Sequence, residues 1–130
     1  MYIYSFEKLE VWQLSRQLVK EIYILTEQFP DKEKFGLTNQ IRRAIISVSS
    51  NLAEGSSRKS AKDQAHFTQL SFSSLLEVLN DLILASDLNF ITLEQLDSTR
   101  PKIEELSNKL NSFYNSQIKA YKSTNKQINK

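Results

Sequence analysis

Apolar side chains return every three or four residues along most of this chain, and almost nothing interrupts them. Only two glycines and two prolines occur in 130 residues. Glycine and proline are the residues that most strongly punctuate helices, so their scarcity favours long helices over strands joined by turns. The periodicity falls into four segments. From Phe6 to Phe29, Val11, Leu14, Leu18, Ile22, Leu25 and Phe29 form one helical face, with Ser5 as the expected N-cap and Pro30 as the stop. The second segment carries Leu37, Ile41, Ala44, Ile45, Val48 and Leu52 and stops near Gly55. The third starts at Ser60, whose hydroxyl is placed to cap while Asp63 answers three residues on, and runs to about Leu88. Thr92 with Gln95 repeats that capping arrangement before a fourth segment containing Leu93, Leu96, Ile103, Leu106, Leu110 and Phe113. Pro101 lies inside it, where a kink or short break is expected.

Short links between successive amphipathic helices make neighbours antiparallel. The expected fold is therefore all-α, an up-down-up-down antiparallel four-helix bundle over residues 1–118. Residues 119–130, "KAYKSTNKQINK", hold four lysines, no acid and little apolar surface, a composition that predicts a disordered basic tail.

The apolar content exceeds what one bundle needs. Ile46 lies off the main arc of the second segment, with Ala53 near it. In the third, Phe72, Leu76, Leu79 and Ile83 share a face while Phe67, Val78 and Ala85 form a second line. Either the third helix is central and packs on two neighbours, or these residues form a contact between subunits. On the second reading the interface residues are Ile46, Ala53, Phe67 and Val78.

Composition narrows the chemistry. Without cysteine there is no disulfide framework and no thiolate ligand or nucleophile, which fits an intracellular protein. The opening "MYIYSFEKLEVW" is not a signal peptide, no apolar run reaches membrane-spanning length, and a cytoplasmic location is expected. His66 is the single histidine, and inward carboxylates with Glu-x-x-His pairs are missing, so no metal and no cofactor are expected. Asp63, His66 and a serine would make a hydrolytic triad only by chance, since serines at helix ends are caps; the chain reads as no enzyme.

Charge is more informative. The net charge is only +2, yet residues 31–62 carry seven basic against three acidic side chains, and residues 63–100 one against six. Residues 101–130 carry six against two. Arg42, Arg43, Arg58, Lys59 and Lys62 cluster around "SSNLAEGSSRKSAKDQ", where a helix N-terminus also offers free backbone N–H groups. Such groups hold phosphates without reading sequence. The stretch reads first as a joint between helices, and the cations beside it are either a phosphate grip or a solvated corner with surface ion pairs.

"FEKLEVWQLSRQL", "FGLTNQIRRA" and "SNLAEGSSRKS", in this order and spacing, resemble the four-helix-bundle family encoded in intervening sequences of bacterial 23S ribosomal RNA genes. That family includes the accessory variability determinant of diversity-generating retroelements. The similarity runs from about Phe6 to Phe90, with a looser continuation to Phe113. Where the family commonly has Pro-Ser-Asn, this chain has Ser49, Ser50 and Asn51, and Pro101 is also a departure. The resemblance implies a homopentamer without catalytic activity, and in the retroelement branch a basic surface associated with nucleic acid and a reverse transcriptase. It assigns Arg42, Arg43, Arg58 and Lys59 to phosphate contacts. Asn51, Glu54 and Gly55 become corner residues, Glu54 pairing with a base and Gly55 closing the helix in a left-handed conformation. Two functions follow: an oligomeric scaffold that binds RNA or DNA, or an adaptor that docks a protein such as a reverse transcriptase.

Overall fold

A computed structural model describes the chain over residues 1–128, and its side chains through residue 126. The described residues are all-α. A 3-10 turn at Ser5–Lys8 precedes α1 (Glu10–Thr26), and a second at Asp31–Glu33 precedes α2 (Leu37–Ser56). α3 (Ala61–Asp87) and α4 (Leu93–Ile128) complete the bundle.

The helices alternate in direction, as the short links require. Ion pairs of Lys102 with Glu21 and of Lys109 with Glu10 hold α1 antiparallel to α4. Ser71 Oγ donates to the Val48 carbonyl at 2.7 Å, Ser47 and Ser74 hydroxyls meet at 3.0 Å, and Gln40 Nε2 donates to Asp81 Oδ1 at 3.0 Å, so α2 and α3 run antiparallel over most of their length. The core comprises Leu18 and Ile22 of α1, Ile41, Ile45 and Val48 of α2, Leu75, Val78 and Leu82 of α3, and Ile103, Leu106 and Leu110 of α4.

Local signals were partly as expected. Thr92 and Gln95 form the full reciprocal cap: Thr92 N–H donates to Gln95 Oε1 at 2.9 Å, and Gln95 N–H to Thr92 Oγ1 at 3.1 Å. Ser60 Oγ accepts the Asp63 N–H at 3.1 Å and caps α3. Ser5 does not cap α1. The chain forms a 3-10 turn there, Glu7 Oε2 accepts the Tyr4 N–H at 2.8 Å, and extended Leu9 leads into the helix. Phe29 is buried as expected but lies beyond the end of α1, its ring 5.7 Å from that of Phe90. α3 ends in a motif that the residue pattern did not signal: Asn89 takes φ 60°, and the Phe90 and Asn89 N–H groups donate to Ala85 and Ser86 carbonyls. This is a Schellman close with asparagine in the left-handed position usually given to glycine.

Three expectations are corrected. α4 runs through Pro101 without a break: the proline is exposed, and Leu96, Ile103 and Leu106 on either side of it are held in the core. The boundary expected at residue 118 is not one of secondary structure either. α4 continues to Ile128, steadied by Gln117 Oε1, which accepts the Thr68 hydroxyl at 2.7 Å, and by Tyr121, whose ring lies beneath the Lys62 ammonium. Residues 129–130 of the expected tail lie outside the described residues. α3 packs on both α2 and α4, as the central-helix reading expects, with Phe72, Leu79 and Ile83 partly buried against the core, but its most buried line is the other one. Val78 and Ala85 are completely buried and Leu76 is half exposed. Small buried Thr68 and Ser71 share the inward line with them, and a reading led by large apolar residues passes over such positions.

Candidate nucleic-acid interface

The corner between α2 and α3 is built around a close approach. Gly55 is buried within the last turn of α2. A Cβ there would lie 2.8 Å from Phe67 Cβ, so the absence of a side chain lets the two helices meet. Gly55 does not adopt the left-handed conformation expected of it, since no glycine has positive φ. The chain leaves α2 through ordinary helical geometry at Ser57, whose hydroxyl donates to the Glu54 carbonyl at 2.6 Å. Glu54 is exposed and forms no ion pair among the described residues, contrary to the expected pairing with a base. Asn51 holds the inner side: its Nδ2 donates to the Ser47 carbonyl at 2.9 Å and to Ser47 Oγ at 3.0 Å. That continues through the Ser47–Ser74 contact into a polar bridge between α2 and α3.

The five basic residues singled out from sequence separate into three environments. Arg42 is half-buried against α1. Its Nε donates to Thr26 Oγ1 at 2.8 Å, one terminal nitrogen donates to the Tyr23 carbonyl at 3.3 Å, and its guanidinium stacks 4.5 Å from the Tyr23 ring. It is a clamp between α1 and α2, half-buried where a phosphate contact would have to be free. Arg43 is exposed and lines an open groove of about 480 Å³ with Phe35, Gln40 and Ser47 of the α2 side and Ser74 and Glu77 of α3. Arg58, Lys59 and Lys62 are exposed together at the other end of α2. Arg58 lies over the Phe67 ring at 4.6 Å, which orients its guanidinium while leaving hydrogen-bonding edges to solvent. Its carbonyl accepts Gln64 Nε2 at 2.8 Å, tying the loop to the first turn of α3. None of Arg43, Arg58, Lys59 and Lys62 forms an ion pair among the described residues.

The proposed contact residues between subunits also divide. Ile46 is exposed, Ala53 and Phe67 are half-buried, and Val78 is fully inside the core of its own chain. Val78 therefore cannot contribute to a subunit surface. Leu70 and Leu84 of α3 are large exposed apolar residues that periodicity did not single out.

His66 is exposed, with its ring edge-on to Phe67, and no group of three or more histidine, cysteine or acidic side chains among the described residues is arranged to hold a metal. No helix of the described residues is long and apolar enough to cross a membrane. Asp81 is a buried carboxyl that periodicity did not single out. Its Oδ1 accepts from Gln40 and Asn80, its Oδ2 has no hydrogen-bond partner, and burial, with the Glu77 charge adding to it, raises its pKa above the ordinary 3.8.

The fold is similar to that of a protein of unknown function from the S23 ribosomal protein family of Bacteroides thetaiotaomicron. The TM-score is 0.74 at 23% identity, over 80% of this chain and 97% of that one. No curated protein matches the chain. The model of the family described as 23S rRNA-intervening sequence protein matches residues 7–112, which takes in α1, α2, α3 and most of α4 together with the basic corner, and the chain belongs to that family.

Proposed function

We propose that this protein is a non-enzymatic, cytoplasmic, oligomeric scaffold that holds the phosphate backbone of RNA or DNA. The observation that carries the reading is the group of exposed cations without acidic partners, Arg58, Lys59 and Lys62 at the corner and Arg43 in the groove. Their side chains end in N–H donors, the currency of phosphate contacts, and neighbouring backbone N–H groups at the start of α3 add a favourable dipole. The family's description, with its tie to a ribosomal RNA gene, supports the same partner class. One patch of this size binds weakly. A ring of subunits, five on the family resemblance, multiplies it by avidity.

A light-scattering mass measured with a short structured RNA at low and moderate salt tests the proposal. The assembly should take up RNA at low salt and release it as salt rises, log affinity falling by about 0.9 per contacted phosphate for each log unit of salt on duplex DNA. Replacing Arg43 and Arg58 together by alanine should weaken uptake without changing the protein's own mass. Binding indifferent to salt and to both arginines sinks the reading.

A second reading is a protein-docking adaptor, with a reverse transcriptase as one partner. It is favoured by Ile46, Leu70 and Leu84, which leave apolar surface on α2 and α3. A partner captured equally well from nuclease-treated lysate would select it.

A further inference from the structure

α4 is much longer than the bundle needs. Its 36 residues span about 54 Å, against 17, 20 and 27 residues in the other three helices. Pairing with α3 shows where the excess lies. Gln117 meets Thr68 and Tyr121 meets Lys62, one residue past the start of α3, so residues 122–128 project about 10 Å past the end of α3. The segment whose composition predicts a disordered tail is helical as far as Ile128.

The arm has one chemical character. Glu105 is the last acidic residue of the chain, and Lys109 is already paired with Glu10. Beyond it, Lys119, Lys122 and Lys126 follow at steps of three and four, on one side of the helix. All three are exposed and pair with no carboxylate among the described residues. Asn115 and Ser123 lie beside them along the same shallow groove. Tyr121 faces the other way, onto Lys62, and so carries the arm to the same end of the molecule as Arg58 and Lys59. Two basic clusters separated by some 60 positions in sequence thus share one end of the bundle, where Asp63 in the first turn of α3 is the neighbouring acid.

We infer that the α4 arm is a second phosphate-binding element, which lays Lys119, Lys122 and Lys126 along a nucleic-acid strand whose neighbouring phosphates reach the α2–α3 corner. The lysine stripe is about 10 Å long, the length of about three nucleotides at 3.4 Å each along a duplex strand. Beside the lysines the groove offers one large apolar side chain, half-buried Ile118, and Tyr121 is turned toward α3, so there is little to insert into a lipid surface. This inference rests on the nucleic-acid reading above and adds an element that reading does not use.

The test follows binding of a labelled short duplex RNA by fluorescence anisotropy across a range of salt. The full chain is compared with the triple variant K119Q/K122Q/K126Q and with a charge-matched control, K20Q/K32Q/K34Q. Lys32 and Lys34 of the control lie at the opposite end of the bundle. Glutamine keeps helix propensity, and circular dichroism with a light-scattering mass checks that each variant is folded and assembled as the parent. The arm variant should bind at least tenfold more weakly at low salt, with a salt slope reduced by two to three, about one per lost phosphate contact, while the control keeps the parent slope. An arm variant that binds like a salt-sensitive parent overturns the arm and leaves the corner reading standing. A control that loses as much as the arm variant also overturns it, since net charge alone is then at work. If the parent does not bind at all, both readings fall.

Discussion

At the residue scale, the most informative side chains are those whose surroundings contradict their type. Asp81 is a carboxyl in the core with one oxygen unpartnered. Because burial lifts its pKa above 3.8, the folded chain keeps a proton on it over a range where the unfolded chain has released it. Stability contributed by this site therefore declines as pH rises from about 3.8 to the folded value, then levels off. Asp81→Asn removes that dependence, so the variant should gain on the parent as pH is taken from 4 to 7 in urea unfolding; a difference in stability that stays constant with pH would show that the carboxyl is not held protonated. Gly55 is the opposite case, a residue whose absent side chain is its function. Gly55→Ala gains about 1 kcal/mol in helix propensity but sets a carbon 2.8 Å from Phe67 Cβ, an atom fixed close to the backbone. Overpacking of that kind costs about 1–3 kcal/mol, so a net loss of roughly 1 kcal/mol is expected in the same unfolding measurement. The glycine's importance was legible in sequence, but its reason was not, since a corner motif suggests a turn and only the packed helices reveal a close approach.

At the scale of the element, periodicity located each helix and mistook some of its surroundings. Capping at Ser60 and Thr92 was readable because the chemistry is local, a hydroxyl and an N–H three residues apart. The most buried line of α3 was not, because helix packing buries small hydroxyl residues at close crossings and leaves Leu76 outside. Pro101 shows the same limit from the other side. Its local cost is real, yet the helix continues because core packing of Leu96, Ile103 and Leu106 holds both flanks in line. Pro101→Ala should restore the missing hydrogen bond and raise stability by about 2 kcal/mol in urea unfolding, with helix content unchanged. A drop in stability would mean that the proline's restriction of the unfolded chain outweighs the lost bond.

For the whole molecule, the exposed apolar side chains of α2 and α3 are the candidates for a contact between subunits. Ile46 and Ala53 sit one heptad apart on α2, and Leu70 and Leu84 are exposed on α3. If these side chains join subunits, Ile46→Asp should reduce the light-scattering mass to that of a single chain while circular dichroism stays the same; a variant that keeps its assembly would place the contact elsewhere. The fold class, four helices with their directions, the family, and a basic corner between the second and third were all legible from the order of residues alone. These follow from periodicity, caps and link length, which act over a few residues. That Arg42 serves as a clamp, that Val78 is core, and that the C-terminal lysines stand on a helix beside the corner emerges from the packed bundle. Whether a side chain faces a neighbour or solvent depends on how whole helices roll against one another, and that rotation is set by the sum of all their contacts.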